Sequence, residues 1–284
     1  MGSTKLTEPG QFDIQKLILI TSEGVSVDLG KSVSEIVIYE SIESNSIAGY
    51  IAIFDTVGLS NIGPVVGQEY LKLVISTPSL NKEKFKINFD ENVLHVTKIV
   101  DRQNSGDLSN TILEFVSSEL IHSKRTRVNR TLKGTYSELA KTLLQNDLQC
   151  KKDLYIETSV GQKQIITPNA APFSLISRWA QQAVSKEHGS PTFHFYENIK
   201  GYHFRSIESM FAEGSKFTYV ESVAGAPVGD SPGISSGPDV DAKLTRDLAV
   251  IQGYSITQGK DFLVNAPLGG FSSTMLVSRL FDFF

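Results

Sequence analysis

Spaced glycines let backbone N–H groups converge on an anion, and residues 55–75, DTVGLSNIGPVVGQEYLKLVI, set Gly58, Gly63 and Gly67 in that manner. A nucleotide-binding P-loop also needs Gly-Lys followed by Ser or Thr, so that the lysine meets the phosphates and the hydroxyl meets magnesium. Here Gly67 is followed by Gln68 and Glu69, and a carboxylate repels phosphate. The glycine intervals of five and four also miss the dinucleotide-binding spacing. The stretch therefore reads as a structural bend between two strands, with Gly58, Gly63, Pro64 and Gly67 supplying the turns.

Other reactive residue types also fall short of a constellation. GISSG at residues 233–237 matches the nucleophile-elbow pattern around Ser235, but Pro232 and Pro238 flank it and all five histidines lie upstream. That order denies the serine its strand–turn–helix setting and its downstream histidine. His188, His194 and His203 show no zinc-binding spacing, although His194 and His203 fall on opposite arms of an expected hairpin and would pair across it. Cys150 is the sole cysteine, which excludes an intrachain disulfide and a cysteine zinc cage. It closes an expected helix beside Lys151 and Lys152 and reads as an inert thiol. No paired carboxylates mark a cleft. No catalytic residue, metal site or cofactor is expected.

Lys124, Arg125, Arg127, Arg130 and Lys133 form the one basic run. It reads as a solvated interdomain linker, or as a contact with an acidic neighbour or a nucleic-acid backbone; no aromatics interleave for base stacking. Residues 1–122 carry 9 Lys and Arg against 16 Asp and Glu, residues 123–215 carry 13 against 8, and residues 216–284 carry 5 against 7. This acidic–basic–acidic pattern excludes a nucleic-acid clamp with one continuous basic face. The polar start MGSTKLTEPGQFDIQK has no apolar signal segment, and the longest apolar runs fall far short of the ~20 residues of a membrane helix.

The elements that would position these residues begin as strands. GVSVDL places Val25, Val27 and Leu29 on one face, and KFKINFD sets Phe85, Ile87 and Phe89 opposite Lys84, Lys86 and Asn88. EIVIYES, GYIAIFD, EYLKLVIS, VLHVTKIVD and TILEFVSS add five more, which suggests a barrel or sandwich. TYSELAKTLLQNDL then reads as a helix with a Thr135–Glu138 capping box. A second helix is expected from an Asn169 cap, through Pro172 in the first turn, to a stop at Gly189. TFHFYENIKGYHFRS reads as a hairpin around ENIKG, and residues 224–241 as a Gly/Pro/Ser-rich loop. DFLVNAPLGGFSSTMLVSRL, from Asp261, faintly echoes the glycine-bearing stretch and suggests a second barrel, short of strands by the end of the sequence.

The order of these segments resembles the central baseplate hub proteins of contractile-tailed bacteriophages, which are related to the N-terminal part of VgrG spikes. The resemblance rests on Glu40, Asp55, Asn61, Pro64, Gly67 and Glu69 around the glycine-bearing stretch. It continues through RTRVNRTLKGTYSELAKTLL and the hairpin region, where Asn198, Gly201, Phe204 and Ser206 match. It implies a mainly β fold with an α+β insert: a first β-barrel tube domain at 1–122, an α+β domain at 123–213 and a second, partial barrel at 214–284.

The resemblance further implies a non-enzymatic homotrimer whose two barrels per chain make a pseudo-sixfold ring. That ring adapts a hexameric tail tube, or its initiator protein, to a trimeric tail spike. Other baseplate proteins surround it, DNA passes without specific binding, and no membrane is involved. The implied location is the virion tail baseplate, assembled in the host cytoplasm. The acidic first domain would suit a lumen that must not hold passing DNA. Alternative readings are the base of a type VI-like injection spike and, from a different class, a β-rich glycan-binding module or hydrolase.

Overall fold

Period-2 alternation buries one face of each N-terminal strand. A computed structural model describes the result for residues 12–55, 67–76, 86–105, 108–215, 219–221 and 250–251. Strands β1 (Asp13–Ile20), β2 (Ser26–Asp28), β3 (Val33–Tyr39), β4 (Ala48–Asp55), β5 (Tyr70–Ser76), β6 (Ile87–Ser105) and β7 (Leu108–Ser117) form one seven-stranded sheet. Its order is β2-β1-β5-β6-β7-β4-β3, with every neighbouring pair antiparallel. The expected tube domain is thus an antiparallel sheet curled into a half-barrel. Register shifts in the β1–β5, β5–β6, β6–β7 and β3–β4 pairings bend individual strands and accentuate that curl. Leu17, Leu19, Ile51, Ile53, Leu71, Leu73, Leu94, Val96, Leu113 and Phe115 fill the inner face.

A second core begins where β7 runs directly into α1 (Ser118–Arg125). The next elements are β8 (Thr131–Gly134), α2 (Tyr136–Thr142, continued by a π-helical turn at Leu143–Asp147), β9 (Asp153–Ile156) and β10 (Lys163–Ile166). Then come α3 (Pro172–Ala180), β11 (Phe193–Asn198), β12 (Gly201–Ser206) and α4 (Ile207–Ala212). β9 pairs parallel to β12, and β11 and β12 form the expected hairpin around Ile199 and Lys200. Trp179, Leu139, Leu143, Phe173, Tyr202 and Phe204 belong to the core between these helices and strands.

The capping box forms as expected. The Thr135 N–H donates to the Glu138 carboxylate at 2.8 Å, and the Glu138 N–H donates to the Thr135 hydroxyl at 3.3 Å. The second helix differs at both ends. Pro172 does open it, but Asn169 has φ of 52° and Ala171 takes the cap position without a side-chain bond. It ends at Ala180 rather than Gly189, because the chain beyond turns to pair with residues 158–160. There Val160 N–H donates to Val184 C=O at 2.9 Å, and Lys186 N–H to Thr158 C=O at 3.0 Å. Those tertiary bonds outweigh the helix propensity of residues 181–188, which include Gln181, Gln182, Ala183, Lys186 and Glu187.

The chain divides into two compact units, 1–216 and 217–284. The described part of the second includes a short parallel pairing of β13 (Val220–Glu221) with β14 (Val250–Ile251). The expected second barrel, the 224–241 loop, GISSG and the echo after Asp261 otherwise fall outside the described residues.

Gly201 combines a φ of 147° with a close strand approach: a Cβ there would lie 2.1 Å from the Asp153 carbonyl oxygen. Gly201→Ala therefore has to push β9 away from β12 as well as strain its own backbone. The expected cost is about 2 kcal/mol or more, read as a fall in Tm of at least roughly 4 °C by calorimetry.

Candidate functional site

The half-barrel and the second core meet at a buried ionic cluster. Glu119 projects from α1, Lys152 from the segment entering β9, and Glu197 from β11. The Lys152 ammonium donates to Glu119 Oε2 and to Glu197 Oε1, each at 2.6 Å, with all three side chains at most 8% exposed. The second oxygen of Glu197 accepts the Ile47 backbone N–H at 2.8 Å and the Tyr202 hydroxyl at 3.1 Å. Ile47 immediately precedes β4, so this one carboxylate ties the half-barrel to the hairpin. Further stitches run from the same loop: the Ile199 N–H donates to Glu40 at 2.5 Å, and Asn45 Nδ2 to the Ser177 hydroxyl at 2.9 Å.

The electrostatics of the cluster suit cohesion rather than catalysis. Burial is the largest influence on Lys152 and opposes its charge, but Glu197 and Glu119 together outweigh it and raise the pKa. A lysine held protonated in this way is a poor nucleophile. Burial, reinforced by the Glu119 charge, pushes the Cys150 thiol up to about 12, which removes the reactive thiolate at neutral pH. Burial likewise raises Glu197 despite its ammonium partner, and raises Tyr202 well above the ordinary phenol value.

Glu157 forms a second polar staple within the same unit. Its carboxylate accepts the Ser185 hydroxyl at 2.5 Å, the Ser206 N–H at 2.6 Å and the Ser206 hydroxyl. Burial opposes its charge, but these bonds leave its pKa lowered overall. Ser206 also accepts the Ser209 N–H as the N-cap of α4.

The remaining sequence candidates scatter. Gly67 has φ of 81°, and its N–H and that of Gln68 both donate to the buried Glu69 carboxylate, at 2.9 and 3.0 Å. The amides that a phosphate would require are taken by the chain's own anion. Gly58, Gly63 and Pro64 lie outside the described residues. Lys124 and Arg125 end α1, and Lys133 lies on β8. The Arg127 guanidinium turns back to the Lys124 and Thr126 carbonyls. Arg130 grips Asp147 through two bonds at 2.8 and 2.7 Å. Val128 and Leu132, interleaved with them, are buried in the second core, while the five cations themselves are exposed.

His203 does not face His194 across the hairpin. The register sets His203 opposite Tyr196 and His194 opposite Arg205. His203 instead stacks between Tyr155 and Tyr196, with ring centroids 4.6 and 4.7 Å away. Among the described residues no group of three or more His, Cys, Asp or Glu side chains is placed to hold a metal ion. No described helix is long and apolar enough to cross a membrane.

The sequence reading missed a depression of about 510 Å³ on the outer face of the half-barrel, lined in part by Glu35, Tyr39, Tyr50, Ile112 and Glu114. Its rings are 6.4 Å apart at centroids and tilted by 49°. Glu35 and Tyr39 stand four residues apart on β3, and the neighbourhood of β3, β4 and β7 is a property of the sheet order.

No protein-family model and no curated protein matches this sequence. Several solved structures are similar. The 43 kDa tail protein of prophage MuSo2 from Shewanella oneidensis is 12% identical with a TM-score of 0.45, over 73% of this chain and 56% of that one. The prophage tail protein gp18 from Listeria monocytogenes is 9% identical with a TM-score of 0.44, over 73% and 55%. The E. coli c3393 protein, a type VI secretion component, is 12% identical with a TM-score of 0.38, over 70% and 50%. The chain thus spans about half the length of these solved structures.

Lys152→Met leaves two carboxylates buried without their cation, and the expected loss is ~3–5 kcal/mol. The combined Glu119→Gln/Lys152→Met/Glu197→Gln variant should recover part of it in the same denaturant titration. The alkaline response follows from raised pKa values in Cys150, Tyr202 and Lys152, whose ordinary values are 9.0, 10.0 and 10.5. Each keeps its proton longer in the folded chain, so stability present below about pH 9 should fall as pH rises toward 12. Tyr202→Phe should flatten that slope.

Proposed function

We propose that the chain is a structural baseplate hub of a phage tail, a homotrimer whose pseudo-sixfold ring joins a hexameric tube to a trimeric spike around the DNA path. The observation that carries this reading is what the residues behind the hub resemblance do. Glu40 receives the Ile199 N–H, and Glu69 closes over the Gly67 and Gln68 amides. Asn198 accepts the Lys200 and Gly201 amides across the hairpin turn, and Ser206 holds Glu157 while capping α4. Phe204 is fully buried in the second core. Each of these residues sets backbone geometry or packing, which is what a load-transmitting scaffold requires. An enzyme's distinguishing residues would instead converge on a cleft.

The charge distribution supports the same reading. A half-barrel segment with 16 Asp and Glu against 9 Lys and Arg disfavours retention of a polyanion in transit. In this reading the domains are the tube domain at 1–122, the α+β domain at 123–213 and a second tube domain at 214–284. Gly58, Gly63, Pro64 and Gly67 form the bend between tube strands. The exposed cations Lys124, Arg125 and Lys133 face neighbouring baseplate proteins, and the assembly resides in the virion tail after forming in the host cytoplasm.

Native mass spectrometry is expected to find a species at three times the 31.2 kDa chain mass. Pull-downs with the tube and spike proteins of the same tail should retain it, and duplex DNA should not shift at physiological salt. A stable monomer indifferent to both proteins would overturn the reading.

A further inference from the structure

The depression on the outer sheet face has the composition of a cation site. Tyr39 is 57% exposed, and its ring and that of Tyr50 make an open V with centroids 6.4 Å apart. Ala48, Ile112 and Val116 supply apolar lining, while Glu35 and Glu114 bring two carboxylates. Neither carboxylate has an ion-pair partner among the described residues. Lys98 lies opposite Glu114 in the β6–β7 register, yet no ion pair joins them. The Tyr50 phenol is pushed up, first by burial and then by the Glu35 charge and a hydrogen bond to Glu35, which places that carboxylate beside the ring.

Two carboxylates beside two ring faces match a guanidinium. The carboxylates accept its N–H groups and the ring faces attract its delocalised charge. A phosphate would be repelled, and a neutral sugar would stack on the rings without using the paired negative charge. An ammonium fits less well than a guanidinium, whose plane stacks and whose donors are splayed. The hollow is wide and open, so a free small cation would stay largely hydrated within it. An arginine held by a longer segment loses that freedom through flanking contacts.

We propose that the Tyr39–Tyr50 depression is a docking site for an arginine side chain carried on a segment of a partner protein. Arginine lies between the two tyrosine rings, with Glu35 and Glu114 accepting its N–H groups. The assignment is independent of the hub reading, because binding is measured on this chain alone.

The test is isothermal titration calorimetry with the capped peptide acetyl-Gly-Ser-Arg-Ser-Gly-amide and its counterpart with Gln in place of Arg. The arginine peptide is expected to bind about tenfold or more tightly, with the preference shrinking as salt rises. Glu35→Gln/Glu114→Gln should abolish the preference. The charge-matched control Glu91→Gln/Glu187→Gln, on exposed sites elsewhere, should retain it. Tyr39→Ala, at a mostly exposed position, provides a second variant should the double substitution fail to fold, and it should weaken binding by about fivefold. Equal affinity for the two peptides, or an arginine preference left undiminished by either site variant, overturns the proposal. Altered sedimentation of the double variant without arginine-peptide binding also overturns it, and makes the face a self-contact.

Discussion

A single lysine between two buried carboxylates holds the described core of this molecule together. Lys152 would cost several kcal/mol to bury alone, and so would each of Glu119 and Glu197. Together they satisfy one another, and Glu197 passes the constraint on through the Ile47 N–H and the Tyr202 hydroxyl. Apolar packing fills both cores without specifying how they meet. The cluster specifies that meeting, because its hydrogen bonds tolerate little change of angle or distance.

The same economy recurs wherever the sequence first suggested chemistry. Glu69 closes over the amides that a phosphate would need, Glu157 is bonded by two serines, and Arg130 is held by Asp147. Polar groups in these places serve shape, and Cys150 beside the cluster is kept protonated by its burial. The outer sheet face departs from this pattern. There Glu35 and Glu114 carry charge with no ion-pair partner among the described residues, next to aromatic rings. That contrast is the ground for proposing the arginine site on that face.

Local features were legible before any fold was known. The capping box at Thr135 and Glu138 and the hairpin at Asn198–Gly201 follow from residue types a few positions apart. Two readings failed, one because a distant segment decided it and one because the turn register was not carried through. α3 stops at Ala180 since the next segment pairs near Ser159, and His203 meets tyrosines because the turn fixes a register that parts it from His194. The basic run keeps its cations exposed, as a count of charges suggests, but the burial of Val128 and Leu132 between them is set by the second core.

The sequence by itself determined the strand alternation, the turn chemistry, the caps and the uneven charge, all of which act over a few residues or need only counting. Tertiary structure alone decided the strand order, the Lys152 cluster and the tyrosine-lined depression. The physical reason is separation along the chain. Glu197 meets the Ile47 amide across 150 residues and Lys152 across 45, and no periodicity spans such distances. Only the folded arrangement, selected by burying both cores at once, can bring those groups to hydrogen-bonding range.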